Sequence, residues 1–168
     1  VITVDDGRIV SVEPGGSGGR LWAVPGFVDS HCHGAVGVAF GDPDVDANRR
    51  AIDYHRTQGS TTVFASTVTE PVDKLERQLT VLRGLVEAGD LGGIHLEGPY
   101  LAEAKKGAHD AALLRDPDAE SVERLIAAGG PALKMITMAP ERDHAEAAIK
   151  RFVESGVAVA FGHSDADE

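Results

Sequence analysis

The chain has 168 residues, with 16 Lys+Arg against 27 Asp+Glu for a formal net charge of −11, a single cysteine and 20 glycines. This length is ample for a hydrophobic core without structural metals, and one cysteine excludes an internal disulfide. The acidic balance without a basic patch excludes a sequence-independent nucleic-acid binder, and no apolar run approaches the ~20 residues of a membrane span. Val1–Asp5 does not read as a signal peptide, so a soluble cytoplasmic protein is expected.

Taken in chain order, residues 1–24 read as short strands joined by glycine turns. Val1–Val4 and Arg8–Val12 flank Asp5-Asp6-Gly7, a strong hairpin signal. The stretch from Pro14 to Gly19 reads as a surface loop. From Val24 onward strand and helix alternate. Strands are predicted over 26–29, 61–66, 93–96, 133–137 and 157–161. A helix starting near Pro71 carries Leu75, Leu79, Leu82 and Val86 on one face. Asp116 before Pro117 is read as the N-cap of another, with Val122, Leu125 and Ile126 inward. A further helix near Asp143 presents Ala145, Ala148, Ile149, Phe152 and Val153. Gly59, Gly89, Gly129 and Gly156 fall where left-handed helix caps are needed.

The β-α alternation implies an α/β fold with a parallel sheet and right-handed crossovers. The first strand leads into His31-Cys32-His33-Gly34 instead of a glycine-rich phosphate loop, and polar groups stand at the carboxyl ends of several strands. That pattern favours a (β/α)8 TIM barrel over an open doubly wound sheet. Such a barrel takes ~250 residues, and five of its eight strands are counted here. Residues 25–168 are therefore expected to be the front portion of a larger barrel, consistent with the absent initiator methionine.

His31 and His33, two apart at a strand end, point the same way and can chelate one divalent ion; the plain alternative is a pair of polar rim residues. Cys32 faces away and is expected to be a small buried side chain. Glu97 ends an apolar strand before Gly98-Pro99, as a ligand or as a salt-bridged rim residue. His95, one layer deeper, is expected to be a hydrogen-bonded interior histidine. His163, after Gly162, is ambiguous by itself. His109, in the loop Lys105-Lys106-Gly107-Ala108-His109, either donates to a substrate carbonyl or belongs to a solvated basic loop. His55 and His144 are expected to face solvent, and Glu141 to stand at the rim. No nucleophile elbow or cysteine nucleophile is present, so water activated by a divalent ion is the expected nucleophile.

Five segments, Pro25-Gly26-Phe27-Val28-Asp29-Ser30-His31-Cys32-His33-Gly34, His95-Leu96-Glu97-Gly98-Pro99-Tyr100, Lys105-Lys106-Gly107-Ala108-His109, Met138-Ala139-Pro140-Glu141 and Gly162-His163-Ser164-Asp165-Ala166, together resemble the N-acetylglucosamine-6-phosphate deacetylase family of the amidohydrolase superfamily. The resemblance implies Glu97 and His163 as ligands of one metal position and His31 and His33 as ligands of a second. It further implies that Ala108 and His109 contact the sugar, with His109 polarising the acetamide carbonyl. The ion is expected to be zinc, with iron, cobalt or manganese as alternatives, and one or two ions bound. The implied reaction is hydrolysis of the acetamide of N-acetyl-D-glucosamine 6-phosphate to glucosamine 6-phosphate and acetate, in amino-sugar catabolism.

Residues 1–24 would belong to a small β-sandwich, and the full-length protein would be a homodimer acting on a phosphorylated amino sugar, with no nucleic-acid or membrane partner. The aspartate that protonates the leaving amine, a second histidine of the main metal position and the phosphate-binding groups lie beyond this sequence in the family pattern. Residues 1–168 alone are therefore expected to show no deacetylase activity. Two competitors remain. A dihydroorotase-like amidohydrolase would need a lysine at the end of the fourth strand, where Lys134 is too early; a non-catalytic sugar-binding barrel would keep the rim residues without the chemistry.

Overall fold

The computed structural model describes residues 1–15 and 22–167. Strands β1 (Ile2–Asp5) and β2 (Arg8–Val12) pair antiparallel around a tight Asp6-Gly7 loop, both residues at positive φ (+45° and +70°). Most of the loop expected from Pro14 to Gly19 lies outside the described residues.

The main body alternates as the apolar periodicity requires. Strand β3 (Phe27–Cys32) is followed by a small hairpin, β4 (Gly34–Ala35) and β5 (Val38–Ala39), and then by helix α1 (Val45–Thr57). Strand β6 (Ser60–Thr67), helix α2 (Val72–Glu87), strand β7 (Gly93–Glu97) and helix α3 (Ala119–Gly129) come next, and strand β8 (Leu133–Met138), helix α4 (Ala145–Glu154) and strand β9 (Ala158–Phe161) complete the order. The five strands β3, β6, β7, β8 and β9 form one parallel sheet in that spatial order, so each helix returns the chain to the neighbouring strand. The result is an α/β fold whose parallel sheet is curled like half a barrel.

The core lies between the sheet's outer face and the helices. Ile52 of α1, Leu75, Leu79, Leu82 and Leu85 of α2, Val122 and Leu125 of α3, and Phe152 of α4 pack with Val63, Ile94, Leu96 and Ile136 of the strands. The opposite face of β7 carries His95 and Glu97, so alternation along one fully buried strand sends apolar groups to the helices and polar groups to the concave side. No helix among the described residues is long and apolar enough to cross a membrane.

Several local expectations shift by a residue or a face. Asp118, not Asp116, caps α3 by accepting from the Ser121 N–H at 2.9 Å, while Asp116 lies 2.8 Å from Arg142 Nε. Pro117 thus precedes the cap instead of opening the helix. Gly129 is still helical, and Gly130 takes the positive φ (+51°). On α2 it is Leu85 that is buried and Val86 only half-buried, and on α4 Val153 is 57% exposed because it lies past the edge of the buried stripe.

Candidate functional site

Four histidines converge on one carboxylate at the carboxyl ends of the strands. Glu97 closes β7 and is buried, and Gly98 turns the chain directly after it at φ +77°. Its Oε2 lies 2.9 Å from His33 Nε2, 3.3 Å from His31 Nε2 and 3.6 Å from His109 Nε2, and its Oε1 lies 3.1 Å from His163 Nε2. His31 and His33 come from the end of β3, their Nε2 atoms 3.1 Å apart. His163 follows β9 and itself takes the left-handed turn (φ +52°), while Gly162 gives the clearance against Thr137. The candidates drawn from the sequence thus lie together around a cavity of about 530 Å³, whose wall includes Ala108.

Hydrogen bonds at the far ring nitrogens assign opposite polarity to two of these histidines. The Nδ1 of His163 faces the Lys105 carbonyl oxygen at 2.8 Å, so it must carry the proton. In the neutral ring Nε2 then aims a lone pair at Glu97 Oε1, an arrangement that calls for a cation between them. An N–H bound to a backbone carbonyl is also the usual support for a metal-ligating imidazole. The Nδ1 of His109 is instead approached by the Thr69 backbone N–H at 3.2 Å and Oγ1 at 2.8 Å. A backbone N–H only donates, so Nδ1 accepts and the neutral His109 ring carries its proton on Nε2, facing the cavity.

The groups His31, His33, Glu97 and Glu97, His109, His163 each bring their ligand atoms within 4.8 Å of one another. Nitrogen and carboxylate donors at this spacing suit a divalent first-row ion, and Glu97 belongs to both groups, with Oε2 facing His31, His33 and His109 and Oε1 facing His163. Burial pushes the Glu97 carboxyl upward, but the His33 hydrogen bond and the surrounding imidazoles outweigh it and hold it at about 2. The same hydrogen bond raises His33, whereas burial lowers His109.

Beneath the site a buried polar row ties four strands together. The Cys32 N–H donates to Ser66 Oγ at 3.0 Å, Ser66 Oγ meets His95 Nδ1 at 2.9 Å, and His95 Nε2 meets Thr137 Oγ1 at 2.8 Å. The His95 ring stands edge-on to His31, centroids 4.6 Å apart, which fits its expected interior place. Burial lowers His95 from 6.5 to about 4. The unfolded chain therefore holds more protons between those two values, and stability should fall as pH drops through that window. Fully developed, the loss is about 3 kcal/mol at ~1.4 kcal/mol per unit. Urea unfolding of metal-free protein from pH 7 to 4 measures it, and a His95→Phe variant should lose that part of the slope.

Cys32 is buried on the other side of β3, and its partner is a correction. His55 is half-buried instead of solvent-facing, its Nε2 3.0 Å from Cys32 Sγ and 3.2 Å from the Gly34 carbonyl oxygen, because β4 lies against α1. Asp29 is near enough to complete a third possible ligand group. The Gly34 carbonyl, however, requires a proton on His55 Nε2, so hydrogen bonds account for that cluster. His144 is exposed as expected. Glu141 accepts from the Ser164 hydroxyl and the Asp165 N–H, holding the segment after His163. Lys134 is exposed near the start of β8, far in register from the strand end. Thr69, Ser66 and Thr137 carried no distinguishing signal in the sequence.

A parallel half-barrel with histidines and a glutamate gathered from separate strand ends defines an α/β scaffold that assembles its site at the strands' carboxyl ends. Within that class the chain is related to the N-acetylglucosamine-6-phosphate deacetylases. It is 33% identical over 180 residues to the enzyme of that name from Vibrio furnissii, covering 99% of this chain and 45% of the relative. It is 31% identical over 146 residues to an N-acetylgalactosamine-6-phosphate deacetylase from Escherichia coli O157:H7, covering 84% of this chain and 39% of the relative. The crystal structure of N-acetyl-D-glucosamine-6-phosphate deacetylase from Mycobacterium smegmatis superposes with a TM-score of 0.90 at 42% identity, over 98% of this chain and 46% of that one. A mutant of the Mycobacterium smegmatis enzyme in complex with N-acetyl-D-glucosamine-6-phosphate superposes at 0.85 and 43% identity, over 95% and 44%. No family model matches. The chain spans under half the length of these relatives.

Proposed function

We propose that the protein carrying this chain hydrolyses the acetamide of N-acetyl-D-glucosamine 6-phosphate, releasing acetate and glucosamine 6-phosphate. The observation that carries this reading is the pair of opposite tautomers around Glu97: His163 turns a lone pair, and His109 an N–H, into one cavity. On this reading His31, His33, Glu97 and His163 hold one or two divalent ions, with zinc the best match to the nitrogen and carboxylate donors. When bound, such an ion supplies an acidified water at neutral pH and draws charge from a carbonyl oxygen.

The chain's own residues then divide the remaining work. Glu97, ionised throughout the neutral range, keeps the facing imidazoles together. His109 donates its Nε2–H to the acetamide oxygen as charge develops there, and the Ala108 backbone contacts the sugar. The water oxygen adds to the acetamide carbon as the C=O bond opens to an oxyanion, the carbonyl then re-forms as the C–N bond breaks, and the proton given up by the water passes to the departing amine through a group that the family pattern places on an aspartate outside this sequence. The curled sheet is read as the first five strands of a (β/α)8 barrel over 25–168, and residues 1–24 as part of a flanking β-sandwich. A cytoplasmic homodimer, acting on a small phosphorylated sugar and on neither nucleic acid nor membrane, completes the proposal.

The relationship to an N-acetylgalactosamine-6-phosphate deacetylase supports a second reading, the C4 epimer of the sugar as substrate. Acetate release by the full-length protein from both epimers, each with and without the 6-phosphate, decides between them. Release from the phosphorylated glucosamine derivative is the expected result; release from none of the four would overturn the deacetylase reading.

A further inference from the structure

We propose that Thr69 is the positioning residue for His109, fixing by two hydrogen bonds which ring nitrogen offers a proton to the cavity. Thr69 and His109 come from loops 40 residues apart, and both are buried, 4% and 7% exposed. The Thr69 N–H and hydroxyl both address Nδ1, and together they leave the ring a single neutral form with Nε2–H inward. Their approach depends on the turn after β7. A Cβ on Gly98 would sit 2.2 Å from Thr69 Oγ1, and Gly98 also has a φ of +77°. The glycine following Glu97 therefore does more than end the strand: it leaves the space in which Thr69 reaches His109. Gly98, the chain neighbour of the buried carboxylate, thus lies against Thr69, which in turn holds the ring of His109.

The inference rests on the reading of His109 as carbonyl donor, and its test has one readout that needs no turnover. In metal-free, histidine-labelled full-length protein at pH 8, the 15N spectrum of His109, assigned by its loss in a His109→Phe variant, should show the Nε2–H form. Thr69→Val removes the hydroxyl at nearly constant volume but keeps the backbone N–H, so the Nε2–H form should persist while Nδ1, left with one donor instead of two, shifts its 15N resonance downfield. Its kcat should drop by roughly tenfold, less than the 10²–10³ lost when an oxyanion donor is removed outright, with KM and metal content unchanged. Thr69→Ser, which restores the hydroxyl, should recover most of that loss, whereas a merely space-filling role would be served as well by valine. A wild-type spectrum with Nδ1–H overturns the inference, as does Thr69→Val with unaltered kcat or with its loss carried by KM or metal content. If the wild-type protein releases no acetate, the deacetylase reading falls and the spectra alone decide: a downfield shift of the His109 Nδ1 resonance in Thr69→Val, reversed in Thr69→Ser, supports the role of Thr69, and an unchanged spectrum overturns it.

Discussion

Glu97→Ala in the full-length protein should lose bound divalent metal and lower turnover by at least ~10³-fold, the scale expected when a group supporting the reacting water and the developing charge is lost together with its ion. Among the described residues, Glu97 is the one side chain to which His31, His33, His109 and His163 all turn, one oxygen serving three rings and the other serving the fourth. Without it the four imidazoles face one another around a small buried gap, and the hydrogen bond that raises His33 disappears. Glu97→Gln separates charge from shape. The amide fills the same space but offers one donor and one neutral acceptor, so it should keep the fold while binding metal far less tightly. Metal content by elemental analysis, set beside acetate release and circular dichroism, makes the comparison. Folded Glu97→Ala protein with full metal content and full turnover would remove Glu97 from the centre of the site.

The route to that carboxylate was legible because a charged residue at the end of an apolar run has few structural reasons to be there. Gly93-Ile94-His95-Leu96-Glu97 reads as a strand, and period-two alternation assigns Ile94 and Leu96 to one face and His95 and Glu97 to the other. His31 and His33 stood out as a pair at a strand end, whereas His163 was ambiguous alone and gained weight only beside them. Thr69 and Ser66 did not stand out, since a threonine or serine near the end of a β-branched run is commonplace. Their roles come from cross-strand register: Ser66 lies opposite His95, and a register shift after Ile94 sets the alignment that puts Thr137 within reach of the same ring.

The boundaries that moved did so where two equivalent signals were adjacent. Asp116 and Asp118 flank Pro117, and only the helix's first hydrogen bonds select the second. Gly129 and Gly130 are chemically identical, and the helix ran one residue further than periodicity required. His55 was misplaced for a longer-range reason. Its partners, Cys32 and the Gly34 carbonyl, are more than twenty residues away, and a helix pattern rich in charge gives no sign that a hairpin will lie over one of its polar positions.

His109→Phe should separate two roles that distance alone leaves equal, because His109 lies close enough to Glu97 and His163 to be counted as a third ligand. If Nε2 carries a proton, as the Thr69 N–H demands of the neutral ring, it cannot also hold an ion. Phenylalanine keeps the ring's volume in a buried position and removes the donor. The expected result is a fall in kcat of about 10²–10³-fold, KM changed little and metal content retained, the signature of an interaction made mainly in the transition state. Stability should drop by about 1–3 kcal/mol, because the Thr69 N–H and hydroxyl lose their buried acceptor. Steady-state kinetics, elemental analysis and urea unfolding on one preparation test all three parts. Were His109 a ligand, metal would leave with activity, and added metal would restore part of the rate; were it only packing, kcat would hold while stability fell. His109→Gln, whose terminal N–H can approach the place of the imidazole donor, should recover part of kcat without altering metal content, which ties the lost rate to the missing proton donor.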